Sequence, residues 1–415
     1  MEIKRDRYLD RLLKRKWNGS VKVVTGVRRC GKSYLLFNLF RGRLISDGVD
    51  PEHIIPVALD DIRNKPLRDP AALYEKIVES VGEGEYYVLL DEIQFVDGFE
   101  DVVNGLCRIP GLDVYVTGSN SRMLSKDVLT EFRGRGDEVR VFPLSFSEFA
   151  TAYPGREDEA WRLYRTFGGL PELLARVDEE QKTAYLQNLM KNVYLKDIVE
   201  RNDVRSASGL DGIVDLLCSS VGSLTNPLKI SNTLKASKHF NIDDETVCRY
   251  LGFLEESFLF QRAKRYDIKG RKYLDTPSKY YAVDVGLRNA WLNFRQQEET
   301  HIMENIIYNE LRSRGFSVDV GVVESRRTQN GVSEYMQLEI DFVANNGSQR
   351  YYVQSAYRLP EGEKEEQELR PFLKVGDSFK KIMIVGDDIR LKRDENGVVT
   401  IGVREFLLNE DSLNL

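Results

Sequence analysis

Residues Gly26-Val27-Arg28-Arg29-Cys30-Gly31-Lys32-Ser33 read G-x-x-x-x-G-K-S, and this stretch constrains the chain more than any other. Before it, Val21-Lys22-Val23-Val24-Thr25 is a β-branched, strand-like run. After it, Ser33-Tyr34-Leu35-Leu36-Phe37-Asn38-Leu39-Phe40 can continue as a mostly buried helix. Strand, glycine loop and helix N-terminus together bring free backbone N–H groups to one point, where the helix dipole adds positive potential. Residues Gly26, Val27, Arg28, Arg29, Cys30, Gly31, Lys32, Ser33 and Tyr34 are therefore expected to wrap a polyphosphate. Lys32 would reach the β/γ-phosphates and Ser33 would hold Mg²⁺. An ordinary Gly-rich turn is the plain alternative, and it leaves the matching flanks unexplained.

The 415 residues are enough for two or three domains and a large core. Hydrophobic residues make up 41% and charged residues 30%, a globular profile, and the net charge of −6 confines any nucleic-acid site to a local patch. Four cysteines stand singly with no C-x-x-C, and there are three histidines, which argues against a zinc site or a disulfide framework. The charged N-terminus lacks the apolar core of a signal peptide, and no apolar run reaches membrane-spanning length. The reduced cytoplasm, with no membrane contact, is the expected setting.

A charged helix with an apolar stripe of Tyr8, Leu9, Leu12 and Leu13 is expected within residues 1–20. Residues 1–50 carry 13 Lys/Arg against 5 Asp/Glu, which suits phosphates or simply a solvated face. His53–Asp60 reads as a second strand, and Asp69-Pro70-Ala71 as a helix start with an acidic cap. Tyr86-Tyr87-Val88-Leu89-Leu90-Asp91-Glu92 is a continuous apolar run ending in two carboxylates. A central parallel strand is covered on both faces and so has no polar alternation. Such a strand delivers Asp91 to its carboxyl end beside the glycine loop, as a Walker B strand does. Asp91 would position Mg²⁺ and Glu92 would act as general base toward water. Leu112–Asn120 is a third strand ending in small polar residues, where Thr117, Ser119 or Asn120 would face a γ-phosphate or cap a helix. Glu138–Phe142 is a fifth strand. Strands alternating with helices imply a right-handed parallel sheet.

Residues 145–200 read as helices, broken at Phe167-Gly168-Gly169-Leu170-Pro171-Glu172. Helices follow near Leu210–Leu217, Lys229–Leu234 and Ile242–Leu251, the last capped by Asp243 or Asp244. Phe258–Tyr266 can pair with Lys279–Val283 as a hairpin. Residues 261–280 hold 7 Lys/Arg and 2 Asp/Glu, a charge suited to the phosphates of double-stranded DNA. Helices followed by a basic hairpin resemble a winged helix, a module that also serves protein contacts.

In the last third, a helix over Thr300–Gly315 carries Glu304. Strands Phe316–Val320, Met336–Ala344 and Arg350–Ala356 follow, the last two around an Asn345-Asn346-Gly347-Ser348 turn. This order resembles the PD-(D/E)xK nuclease core, with Glu304 and Asp341 at its acidic positions. The E-x-K tripeptide of that core is here Gln354-Ser355-Ala356, so an amide replaces a carboxylate and a methyl replaces the lysine. Both changes argue against metal-dependent cutting. The acidic run Glu361–Glu368 reads as a solvated helix face. Phe379–Val385 and Val398–Val403 read as closing strands joined through an Asp394–Gly397 turn.

The chain as a whole resembles a group of prokaryotic AAA+-type ATPases. The resemblance rests on the loop at 26–33, LLDEIQ at 89–94, TGSNS at 117–121, GRG at 134–136, FGGLPE at 167–172 and EIDFV at 339–343. It implies an α/β fold with four parts: a P-loop domain over 1–145, a helical lid over 146–204, a winged-helix-like module over 205–285, and a catalytically degenerate nuclease-like domain over 286–415. It further implies ATP and Mg²⁺ as ligands and coupling of hydrolysis to conformational change. In that scheme Asn120 matches the sensor-1 position. Arg135 would neutralise transition-state charge on a neighbouring subunit's ATP in a homo-oligomer, or would lie in a surface turn. Either a DNA-associated ATPase or a slow nucleotide switch for a protein partner fits these residues.

Overall fold

The computed structural model describes residues 3–118, 136–238, 242–296, 298–329, 332–358 and 362–415. They form two compact units. The first runs to Pro143 and includes Leu170–Glu172 and Glu256–Phe258; the second holds Leu144–Gly169, Leu173–Glu255 and Leu259–Leu415.

The first unit is built on β1 (Val21–Thr25), β2 (Ile54–Ala58), β3 (Tyr86–Asp91), β4 (Leu112–Thr117) and β5 (Gly136–Arg140). All pair in parallel, in the order β2-β3-β4-β1-β5. Every residue of β1 and β3 is buried, which is why these strands read as unbroken apolar runs. Val23, Val57, Val88, Leu90, Val114 and Val116 join Leu73, Ile77, Val103 and Leu106 in one core cluster. Lys22 interrupts the apolar run of β1, and its ammonium is paired with Asp113 of β4. Asp113 also accepts the Tyr115 hydroxyl at 2.9 Å, so the buried charge is compensated. The helix Pro70–Glu79 starts as its sequence indicates: Asp69 accepts the Ala72 N–H at 2.9 Å with Pro70 at the first position. The N-terminal helix, Asp6–Leu13, buries Tyr8 and Leu12, while Leu9 and Leu13 stay half-buried.

In the second unit the helices Phe146–Ala152, Glu157–Phe167, Glu179–Asn188, Lys196–Arg201, Ala207–Ser219, Pro227–Lys238 and Asp244–Glu256 precede the sheet. Asp243 is the cap of the last of these, accepting the Thr246 N–H at 2.6 Å. The sheet contains β6 (Phe260–Asp267), β7 (Lys272–Ala282), β8 (Ser317–Gln329), β9 (Val332–Asn346), β10 (Gln349–Ala356), β11 (Lys380–Val385), β12 (Lys392–Arg393) and β13 (Val399–Gly402). It is mixed, in the order β12-β13-β11-β10-β9-β8-β6-β7. The basic hairpin pairs as read, Phe260 opposite Ala282, and β6 also runs parallel to β8, so the hairpin is part of this sheet. Behind the sheet lies Glu299–Ser313, the helix of Glu304.

Two expectations are corrected. β11 and β13 are parallel neighbours, and the Asp394–Gly397 turn closes β12 onto β13 instead of joining β11 to β13. The acidic run is not wholly a solvated face: Glu366 and Gln367 are exposed, but Glu368 is half-buried and accepts from the Gln354 amide at 3.1 Å. The described helices include none long and apolar enough to cross a membrane.

Candidate functional site

The carboxyl ends of β1, β3 and β4 converge in the first unit. The glycine loop leaves β1 at Gly26, whose φ is +143°, and a Cβ there would lie 2.1 Å from the Val141 carbonyl oxygen. Only glycine fits that close approach. Arg29 adopts φ +63° within the loop, an uncommon conformation for a residue with a side chain. Lys32 is buried, and its ammonium donates to the carbonyls of Gly26 at 3.0 Å and Val27 at 3.2 Å. Cys30 is buried, Arg28 and Tyr34 are half-buried, and Arg29 and Ser33 are exposed. The helix from Lys32 contains a wide-turn π segment, Leu35–Phe40, between Lys32–Tyr34 and Arg41–Ser46.

Arg5 holds this loop from behind. It is buried, and its guanidinium donates to Cys30 O at 2.9 Å and Phe142 O at 2.7 Å. Nothing in the sequence set Arg5 apart from the other N-terminal cations. At the rim, Arg29 pairs with Glu172 of the FGGLPE stretch at 3.3 Å.

Asp91 closes β3 with only 3% of its surface exposed. The Thr117 hydroxyl, at the end of β4, donates to Asp91 and accepts the Glu92 N–H at 3.0 Å. Burial holds the Asp91 carboxyl above the ordinary carboxylate range. Hydrogen bonds from Thr117 and Ser33 oppose that shift, and the charges of Glu92 and Asp60 add to it. Glu92 sits at φ +53°, a left-handed conformation that turns its side chain off the strand line. The Gln94 amide donates to it. Gly26–Ser33, Asp91, Glu92 and Thr117 are thus gathered at one sheet edge. Ser119, Asn120 and Arg135 lie outside the described residues.

A metal ion at this edge would find the Ser33 hydroxyl and the Asp91 carboxylate, which share a hydrogen bond. Two hard oxygen donors suit Mg²⁺, which takes few protein ligands and completes its shell with water and phosphate oxygens. Among the described residues no group of three or more His, Cys, Asp or Glu could hold a metal by itself.

The second unit gathers another polar centre. Glu304 from the helix, Asp341 from β9 and Gln354 from β10, the residues of the nuclease-like reading, lie together with Glu339 of β9, which that reading did not include; Ala356 ends β10 with nothing to offer chemically. The residue at their middle is Lys279 of β7, counted in the sequence only as one of the basic segment's charges. Its ammonium lies 3.0 Å from Glu304, 2.8 Å from Glu339 and 3.4 Å from Asp341. Strand alternation puts Lys279 on the same face as Tyr281, whose hydroxyl donates to Glu304 at 2.7 Å. That period-two pairing is the signal from which its role could have been read. Lys264, Lys269, Arg271 and Lys272 of the same hairpin are exposed.

The buried Asp284 holds Gly169 and lies close against Gly168. Gly169 N–H donates to one carboxylate oxygen at 2.7 Å and Leu287 N–H to the other at 3.1 Å. Gly168 has φ +79°, and a Cβ there would lie 2.1 Å from Asp284. Burial pushes the Asp284 carboxyl up to about 6 against the pull of backbone N–H groups.

An AAA domain family model matches residues 18–150, and a model described as a domain of unknown function (DUF8612) matches residues 158–298. An uncharacterized protein of Haemophilus influenzae is 35% identical over 413 residues, 98% of each chain. An uncharacterized protein of Methanocaldococcus jannaschii is 29% identical over 365 residues, covering 84% of this chain and 77% of that one. Among solved structures, the Aeropyrum pernix ORC1 protein in complex with DNA aligns with 71% of this chain and 93% of its own, at 14% identity and a TM-score of 0.30. PCH-2 of C. elegans aligns with 60% of this chain and 65% of its own, at 15% identity and a TM-score of 0.26.

Proposed function

We propose that this chain, which belongs to one family with the Haemophilus influenzae protein and carries an AAA domain over residues 18–150, binds and hydrolyses ATP and uses the cycle to change conformation, in association with DNA. The observation that carries the reading is the convergence of the loop lysine with the Thr117-linked pair Asp91 and Glu92 at the carboxyl edge of the parallel sheet.

Lys32 would exchange its bonds to the Gly26 and Val27 carbonyls for β/γ-phosphate oxygens. The loop N–H groups would take the remaining phosphate oxygens. Ser33 would ligate Mg²⁺ directly and Asp91 through water. The ion, when bound, would offset the charge that builds on the phosphates during transfer. Glu92, aimed off the strand by its left-handed backbone, would polarise the attacking water. Asn120 and Arg135 remain candidates for sensing and for trans stabilisation.

Coupling would run through Phe167–Glu172. Gly169 is anchored in the second unit by Asp284, and three residues on, Glu172 pairs with Arg29 of the glycine loop. A change in the loop on nucleotide binding would pull on that short stretch, and the winged-helix-like and nuclease-like parts would respond. The DNA part of the proposal rests on the exposed cations of the β6–β7 hairpin. The acidic balance of the chain, −6 overall, favours a second reading: a slow switch that serves a protein partner.

The test is steady-state ATP turnover at low salt, with and without duplex DNA, for the wild type and Lys32→Ala. The proposal expects turnover that Lys32→Ala abolishes and that DNA raises until salt is added. Turnover indifferent to DNA supports the switch reading, and turnover indifferent to Lys32→Ala overturns the site.

A further inference from the structure

The nuclease-like reading of the C-terminal part would place a divalent metal among Glu304, Asp341 and the position of Gln354. The residues present do not fit one. A metal site needs several oxygens converging on a common centre with their lone pairs free. Here the convergence is on a nitrogen. Lys279 sends its ammonium between Glu304, Glu339 and Asp341, at 2.8–3.4 Å from one oxygen of each. Lys279 is 4% exposed. Burial alone would favour the uncharged amine, but the charges of Asp341, Glu304 and Glu339 outweigh it and hold the amine protonated.

Further bonds tie these carboxylates to the protein. The Glu304 oxygen that faces Lys279 also takes the Tyr281 hydroxyl at 2.7 Å, and the second oxygen of Asp341 takes the Ser355 N–H at 2.9 Å. Gln354 uses both ends of its amide within the protein. Its oxygen accepts the Asp341 N–H at 3.2 Å, and its nitrogen donates to Glu368 at 3.1 Å. A glutamate at 354 could make the first bond but not the second, and would set two carboxylates against each other. The substitution that removes a metal ligand is thus the one that the neighbouring Glu368 requires.

We infer that Lys279 is the resident cation of this centre, standing where the nuclease-like reading would place a divalent metal, and that the centre is closed to metal ions and to metal-dependent phosphodiester cleavage. The basic hairpin and the acidic core are one structure: β7 carries the exposed Lys272 at one end and the buried Lys279 near the other. The inference does not depend on ATP hydrolysis by the first unit.

The test is Mn²⁺ binding to the full chain without nucleotide, counted by electron paramagnetic resonance, with the melting temperature read alongside. Four proteins are compared: wild type, Asp341→Asn, Lys279→Met, and Lys279→Met with Asp341→Asn. The P-loop region is identical in all four, so its contribution cancels. Wild type and Asp341→Asn should bind equal Mn²⁺. Lys279→Met should bind one more ion per chain and melt higher with Mn²⁺ than without, and the double variant should lose both gains. A wild-type ion that disappears in Asp341→Asn overturns the inference, as does a folded Lys279→Met that gains none. If Lys279→Met does not fold, the comparison of wild type with Asp341→Asn decides alone.

Discussion

The hydroxyl of Thr117 donates a hydrogen bond to the carboxylate of Asp91, and the same oxygen accepts the N–H of the next residue, Glu92. One side chain from β4 thereby fixes both the residue proposed to position Mg²⁺ and the one proposed to activate water. Thr117→Val keeps the volume and removes both bonds. Losing a buried hydrogen-bond partner costs about 1–3 kcal/mol, roughly ten- to hundredfold in rate if it is felt in the transition state. The expected outcome is a fall of that size in kcat with a much smaller change in ATP affinity, and recovery in Thr117→Ser. Unchanged turnover in Thr117→Val would show that the link has no catalytic part.

Asp284 gives the second unit a pH dependence of predictable sign. Its carboxyl is pushed up to about 6 in the folded chain, above an ordinary value of about 4 when unfolded. The folded state therefore binds the proton more tightly. The stability this adds is complete below about pH 4 and is lost as pH rises through about 6, to the extent of about 2–3 kcal/mol. Asp284→Asn cannot titrate, and it also loses one of the two acceptors now used by Gly169 and Leu287. Calorimetric scans should show the variant less stable than wild type at acid pH, with the gap narrowing toward neutrality. A gap that is the same at about pH 4.5 and about pH 7.5, toward the two ends of that window, would refute the assignment.

The exposed hairpin cations make a separable prediction. Lys269→Gln and Lys272→Gln should each weaken binding to duplex DNA without regard to its sequence, and each should lower the slope of log affinity against log salt by about 1. Fluorescence anisotropy across a salt series measures this. No change in slope would remove the hairpin from any DNA interface.

The candidate site of the first unit was readable because its residues are local in the chain. Gly26–Ser33 is contiguous, and Asp91-Glu92 ends a strand whose unbroken apolar character marks it as central. Arg5 escaped because its partners, Cys30 and Phe142, lie far along the chain, and only the fold makes one arginine of a basic segment a buried clamp. Lys279 escaped for a similar reason. Counted by charge, it belonged to the basic segment 261–280; placed by the pleat, it points with Tyr281 to Glu304. The long β8–β9 hairpin was read short because Arg326, Arg327, Thr328 and Gln329 carry no apolar alternation. Cross-strand pairing, down to Gln329 opposite Val332, extends it.

The measurement closest to the central claim separates ATP binding from ATP hydrolysis in Glu92→Gln. The change keeps the size of the side chain and removes its ability to take a proton, while Lys32, Ser33 and Asp91 are untouched. Binding of ATP with Mg²⁺ should stay near the wild-type level, and steady-state turnover should fall by about a hundredfold or more, the scale of general-base catalysis. Turnover at the wild-type rate in Glu92→Gln, with ATP still bound, would contradict the account of how this sheet edge works.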